Sequence, residues 1–408
     1  MLLPAVLFAL WAIWPLASYP GGKLFAPLVV LIGLFAIPQW RSFETTKGLI
    51  IGALLLIWIC LSALWSPAGE QLFSGQFLGE NFALEASYLR LLLTMIGSFL
   101  FVKLVMSLPS DKVEKLPIWI YGGLTAHLLI VIIIAIYREP LLASQGEALV
   151  LTGQSMGRNI NLLALGAPLL LAGLVTLKDG RYAMIGGPLL VALLIWLALK
   201  LDGLAAILAL GLGVAAFAVI HLVSEKGFRV LFNMLAGAIL LAPAIAFTLA
   251  QLAPSLSGSL PLTTQQRIII WQATLERIME KPLIGHGVNA APTWSETYAS
   301  RPEFLEQLLP EMAGNRIIPS HPHNMAMQLW AETGLIGVLL VCALIVFVGG
   351  LLPAPKTLAR GSRIAAAGVF GAALAYFSVS YSVWDESFWA SVVIVASGAV
   401  IMHKKSMA

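Results

Sequence analysis

The chemistry-bearing residues cluster at one place. Ser320-His321-Pro322-His323-Asn324 sets two histidines two residues apart, just before an apolar run that begins at Met325. Imidazole is the side chain whose ordinary titration lies nearest neutrality. If Ser320 or a neighbour caps the helix that follows, its positive dipole end lowers the pKa of His323. The ring then stays neutral, the form a general base needs. The competing role is an interfacial pair that only caps the helix. His321 is placed to orient His323 or to bind substrate.

Three arginines could hold an anion. Arg267 opens a stretch with helical periodicity, and a guanidinium grips phosphate oxygens in bidentate fashion where Lys cannot. A helix N-terminus adds its own attraction for anions. Arg158, in Ser155-Met156-Gly157-Arg158-Asn159, starts another apolar run. That is the wrong helix end for a cation, and it lies beside hydrocarbon, where ionisable groups tend to be functional. A snorkelling anchor is its competing role. Arg138 follows an apolar run on the same face and either attracts a lipid phosphate or anchors the helix.

Other polar residues read as structural. Arg277, Arg301 and Arg316 are loop charges, His286 a turn residue between glycines, and His127 a satisfied buried histidine. Glu332, nine residues after His323, lies inside an apolar run and needs a partner, a loop or helix arginine being one option. Asp385 and Glu386, in a tight hairpin before the last run, either bind an acceptor or are simply solvated, solvation being the favoured reading. A metal site would use His321, His323 and His286, but that spacing is no recognised zinc pattern. The sequence implies neither metal nor cofactor.

The elements that must position these residues are membrane helices. Of 408 residues, 59% are hydrophobic and 11% charged, against about half and one quarter in soluble domains. That excludes a water-soluble enzyme, a disordered chain and a nucleic-acid binder. Apolar runs near the ~20 residues a spanning helix needs recur at 3–20, 24–40, 48–65, 89–109, 117–136, 159–177, 182–199, 203–222, 230–250, 325–349, 364–383 and 388–402. The runs 24–40 and 388–402 are short. The first run lacks a basic start and a cleavage site, so it reads as a helix rather than a signal peptide. The expected fold is an all-α polytopic membrane protein of about twelve helices. Residues 1–250 hold helices one to nine, 251–324 a large, partly helical loop, and 325–408 helices ten to twelve.

Charge orients it. With twelve helices, 14 of the 24 basic residues fall in short loops on the side of the termini, with five of the 20 acids. Both termini are therefore expected in the cytoplasm. The segments 66–88, 137–158 and 251–324 then lie outside. Ile268, Trp271, Leu275 and Ile278 predict an amphipathic helix over 264–281, with Thr263 or Thr264 as cap. Ser300-Arg301-Pro302-Glu303 predicts a second one running to about Met312. Cys60 and Cys342 both lie in apolar runs, where no disulfide framework is expected.

His323-Asn324, nine residues, then Gly334-Leu335-Ile336-Gly337 resembles the signature of bacterial O-antigen ligases. The stretch from His323 to Gly334 is similar to the O-antigen ligase and polymerase superfamily of membrane glycosyltransferases. So are Arg267-Ile268-Ile269-Ile270-Trp271, Lys281-Pro282-Leu283-Ile284-Gly285-His286-Gly287 and the Gly-Arg-Asn step at Arg158. One departure stands out. Where many members have a Ser-Arg-Gly-like step near the chain middle, this chain has Leu201-Asp202-Gly203, with no arginine.

The resemblance implies a GT-C-like helical membrane enzyme with a folded periplasmic loop over its site. It would move a glycan from undecaprenyl diphosphate to a sugar hydroxyl of lipid A-core, in the bacterial inner membrane, inverting and without metal. His323 would take the proton, Arg267 and Arg158 would hold the diphosphate, and Arg138 and His321 would assist binding. Partners are then the lipid-linked donor, lipid A-core and membrane lipid, with no nucleic acid. An O-antigen polymerase or a protein O-oligosaccharyltransferase is the nearest alternative. A transporter is more remote, since the chain has no half-to-half repeat and its motifs lie at an interface rather than mid-bilayer.

Overall fold

The computed structural model describes residues 2–19, 22–36, 47–74, 83–144, 153–256, 260–305 and 310–407. The end of the 24–40 run and the loop carrying Arg41 lie outside them. The helices are α1 (Leu2–Ser18), α2 (Phe25–Gly33), α3 (Lys47–Ser62), α4 (Ser87–Ser107), α5 (Ser110–Val113), α6 (Leu116–Ile136), α7 (Arg138–Ser144) and α8 (Gly153–Thr176). They continue with α9 (Arg181–Lys200), α10 (Leu204–Leu222), α11 (Gly227–Leu256), α12 (Leu262–Glu280), α13 (Pro302–Leu305), α14 (Met325–Leu351), α15 (Arg360–Val379) and α16 (Glu386–Met407). Two-residue strands β1 (Phe73–Ser74) and β2 (Ala83–Leu84) pair antiparallel.

The protein is an all-α, multi-pass membrane protein. Among the described residues, ten helices are long and apolar enough to cross a membrane, and two shorter apolar helices, Pro4–Ser18 and Phe25–Ala36, match the first two expected runs. The 388–402 run proves longer than its apolar stretch. Its helix extends from Glu386 to Met407, because Glu386 at one end and Lys404 and Lys405 at the other suit the helix dipole. A helix satisfies its own backbone in lipid, so such spans need no water. Association then depends on close packing of small residues. Gly371 of α15 lies against the Gly213 backbone of α10, and Gly123 of α6 against the Trp11 carbonyl of α1. The main pairings are α15 with α10 and α8, α14 with α11 and α3, α6 with α1, and α4 with α2 and α16.

The large loop differs from expectation in its caps. α12 begins at Leu262 after Pro261, whose side chain makes no cap bond. Thr263 and Thr264 lie inside the helix, because the fixed φ of Pro261 starts it two residues early. The second helix spans Pro302–Leu305, residues 306–309 lie outside the description, and Pro310–Met312 form a single 3₁₀ turn. Loop charges pin this region: Arg301 meets Glu276, Glu296 and Glu303, and Arg277 meets Glu280 and Glu296.

Candidate active site at the loop end of the helix bundle

α14 starts at the residues singled out by type. Asn324, not Ser320, is its cap: Asn324 Oδ1 accepts from the Met327 amide at 3.1 Å, as expected of an Asn at that position. One residue earlier, His323 has φ of 54°, an uncommon left-handed conformation for a side chain of its kind. Two bonds hold it there. Its own amide donates to His321 Nδ1 at 3.1 Å, and its Nδ1 faces the Ser380 carbonyl at 3.3 Å. A carbonyl only accepts, so the proton is assigned to Nδ1 and the Nε2 lone pair is left to take another. The two imidazoles lie 4.3 Å apart, centroid to centroid.

α12 sets the opposite wall. Trp271 and Arg267 are one turn apart and share a face. Trp271 Nε1 donates to the Pro322 carbonyl at 3.0 Å, clamping the backbone between the histidines. Arg267 donates from Nε to the Val379 carbonyl and from Nη1 to its own helix at Thr263, each at 3.2 Å. Arg267 and His323 line one cavity of about 530 Å³, together with Thr263, Gln266, Ile270 and Arg316. That volume is typical of a small-molecule site.

The electrostatics favour neutral imidazoles among cations. Burial holds His321 far below the usual imidazole range, at about 3, with His323 and the Arg158 guanidinium adding to the effect. Burial also lowers His323. The Ser380 carbonyl opposes that shift and Arg267 reinforces it. Desolvation, rather than the expected helix dipole, is the leading cause. Burial lowers Arg267 too, yet a guanidinium remains charged in proteins.

Arg158, near the start of α8, is close enough to His321 to lower its pKa. It lies 3.6 Å from Asp385 and 5.8 Å above the Tyr381 ring. Asp385 is therefore not the solvated residue its sequence position suggests. It also accepts from the Phe388 amide and caps α16, and its neighbour Glu386 pairs with Arg90 at 3.0 Å. Arg138 is placed apart from the cavity lining. It binds Asp202 at 2.6 Å and the Lys200 carbonyl at 2.8 Å, so it brings a guanidinium to the Leu201-Asp202-Gly203 turn from another helix.

Sequence reasoning missed the element that joins these groups, the hairpin between α15 and α16. Its Val379 and Ser380 carbonyls receive Arg267 and His323, and its Tyr381 and Asp385 face Arg158. Ser382 and Val383 bind Gln328, while Trp384 reaches Glu332. Among the described residues, buried Glu332 pairs with no arginine. It accepts from the Asn289 and Ala291 amides at 2.9 and 3.1 Å, from Gln328 at 3.2 Å, and from Trp384.

The motif glycines have a backbone role. α14 breaks at Gly334, with φ 64° and ψ −172°, a conformation essentially limited to glycine. The Pro282–Gly287 segment fills the break. His286 and Gly287 amides donate to the Ala331 and Glu332 carbonyls, and Leu335 and Ile336 amides donate to Pro282 and Leu283. A Cβ on Gly334 would strike the Leu283 carbonyl, and one on Gly285 the Glu332 carbonyl. The two distant sequence motifs thus form one docked backbone unit behind the histidines. His286 belongs to it, with Nε2 2.9 Å from the Arg277 carbonyl and its ring against Trp294, apart from the other two histidines. His127 is satisfied inside the bundle by Trp14 and Asn159.

Residues 142–342, which include Arg158, Arg267 and His323, match the model of the O-antigen ligase family. Over that span the chain is similar to this family. Curated relatives agree. A Rickettsia conorii protein named "Putative polysaccharide ligase" is 28% identical over 149 residues, 35% of this chain and 34% of its own. A Rickettsia bellii protein of the same name is 28% identical over 197 residues, 47% of this chain and 44% of its own. The chain thus spans between a third and a half of the length of the relatives it matches. The family match contains the histidine pair and two arginines but ends before the 379–385 hairpin that holds them.

Proposed function

We propose that this protein is an O-antigen ligase, transferring a glycan from undecaprenyl diphosphate to a sugar hydroxyl of lipid A-core. The observation that carries this reading is the shared cavity of His323 and Arg267, with Nε2 of a neutral imidazole left unprotonated beside a fixed cation. The acceptor hydroxyl oxygen attacks the anomeric carbon of the donor's first sugar. The bond from that carbon to the phosphate oxygen breaks, and its electron pair leaves with undecaprenyl diphosphate. The hydroxyl proton passes to His323 Nε2. Arg267, with Arg158 near His321, steadies the charge that develops on the leaving group. A single displacement inverts the anomeric centre, and the diphosphate supplies the driving force without metal or nucleotide.

His321 acts through His323 by holding its amide. Arg138 serves the same side of the site by fixing the α9–α10 turn. The 251–324 segment works as a unit over the site, flanked by the helices of 1–250 and 325–408. The reading places the protein in the bacterial inner membrane with both termini cytoplasmic and the cavity facing the periplasm, where the lipid-linked donor and lipid A-core meet. The excess of basic residues in the short loops beside the termini supports that orientation.

A lipopolysaccharide gel from a strain lacking the gene tests the reading. Bare lipid A-core, with long glycan retained on the carrier lipid, is the expected result. Core bearing a single repeat unit would instead indicate a polymerase, and an unchanged ladder would reject both.

A further inference from the structure

The cavity has a second arginine that the transfer chemistry above does not use. Arg316 lines the wall formed by the 313–317 strand-like segment. That segment is rigidly held. Residues 296–299 pair with it through Ile317 N to Glu296 O, Tyr298 N to Asn315 O and Ala299 N to Ala313 O, at 2.8–3.1 Å. The Arg316 guanidinium is steadied by one bond, from Nη1 to the Pro292 carbonyl at 3.0 Å. Its pairing differs from that of the other loop arginines. Arg277 and Arg301 engage Glu276, Glu280, Glu296 and Glu303, whereas Arg316 forms no ion pair among the described residues. Those residues also place no carboxylate on the cavity wall. The cavity therefore has a cation at each of two stations, Arg267 beside the histidines and Arg316 on the loop wall, with no internal counter-charge among the described residues.

We propose that Arg316 forms an acceptor subsite that selects a sugar carrying an anionic group, a carboxylate or a phosphate ester. The proposal rests on the transferase reading of the cavity and adds the chemical class of the acceptor. A cavity whose described wall has cations and no acids attracts anions and disfavours neutral competitors. The donor's diphosphate has its own cations in Arg267 and Arg158. A second anion in the same cavity, at the station the diphosphate does not need, belongs to the other substrate. Asn315, Gln266 and Tyr298 on the same wall supply the neutral hydrogen-bonding and ring surfaces that suit a sugar.

Direct binding tests this independently of catalysis. The full chain in nanodiscs is titrated with methyl β-D-glucuronide and methyl β-D-glucoside by ligand-observed NMR, with and without saturating undecaprenyl diphosphate. The expected result is about tenfold tighter binding of the glucuronide, in keeping with a charge-assisted bond, and retention of that preference when the carrier lipid is bound. Arg316→Ala removes the preference, Arg316→Lys keeps part of it, and Arg316→Glu reverses it. All three should bind undecaprenyl diphosphate as the wild type does. Equal binding of the two sugars by the wild type overturns the proposal, and so does a preference that survives Arg316→Ala. Competition between glucuronide and carrier lipid, or loss of carrier binding in Arg316→Ala, assigns Arg316 to the diphosphate and also overturns it. Failure of the transferase reading is seen separately, as a normal lipopolysaccharide ladder in the deletion strain.

Discussion

Replacing Glu332 by Gln changes one oxygen for an NH₂ and leaves the shape intact, yet four donors converge on that carboxylate. Oε1 accepts the Ala291 amide and Gln328 Nε2, and Oε2 accepts the Asn289 amide and Trp384 Nε1. Whichever oxygen becomes NH₂, two buried donors then face a donor, one of them a backbone amide. Gln328 cannot rotate its amide to relieve the conflict, because its Oε1 already accepts from Ser382 at 3.1 Å and the Val383 amide at 3.0 Å. Each buried donor left without an acceptor costs about 1–3 kcal/mol, so Glu332→Gln should destabilise the protein by about 2–6 kcal/mol. On the usual unfolding entropy per residue that lowers Tm by roughly 2–7 °C. The loss is felt at the site, because Trp384 belongs to the hairpin whose Val379 and Ser380 carbonyls hold Arg267 and His323. Thermal melting of the detergent-solubilised protein, paired with glycan transfer measured well below Tm, reads both effects. A variant that melts within about 1 °C of wild type and transfers glycan at the same rate would refute the role given to this carboxylate.

Other perturbations separate chemistry from scaffold. Gly334→Ala places a β-carbon in a glycine-only backbone conformation and against the Leu283 carbonyl, and should cost about 2–6 kcal/mol by melting. An unchanged Tm would contradict the docking of the two motifs. Arg267→Lys should lower transfer about 10²-fold with little change in Tm, because a point charge replaces a fork; equal loss of activity and stability would make Arg267 structural. Trp271→Phe removes a single bond to the Pro322 carbonyl, worth about 0.5–1.5 kcal/mol. It should lower kcat more than it raises KM. For pH, the base must be neutral, and His323 titrates below the ordinary 6.5. The acid limb of the transfer rate should therefore lie below pH 6.5, with activity falling as acidification protonates the ring. A limb above that value would contradict the burial of His323.

Local signals made much of this protein legible. Continuous apolar runs predicted the spans, since a helix in lipid advertises itself residue by residue. Ile268, Trp271, Leu275 and Ile278 predicted α12 by period alone, and His323, Arg267 and Arg158 stood out by type and position. What stayed hidden acts through backbone or through distant pairing. Val379 and Ser380 hold the site by their carbonyls, which every residue possesses, so no side chain marks them. Asp385 looked like a hairpin charge because its partner Arg158 lies more than two hundred residues away in sequence. The break at Gly334 was masked by the apolar residues on both sides, which read as one long helix. Arg316 resembled Arg277 and Arg301 in sequence, and only the pairing of loop acids with the latter two sets it apart.

The central claim is that His323 accepts the acceptor's proton in a cavity it shares with Arg267. Its most direct test is glycan transfer by the purified full chain in nanodiscs, from undecaprenyl-diphosphate glycan to lipid A-core, comparing wild type with His323→Ala at matched Tm. The account predicts a 10²–10⁴-fold lower rate in the variant, with binding of undecaprenyl diphosphate retained. Transfer at the wild-type rate by His323→Ala would contradict it.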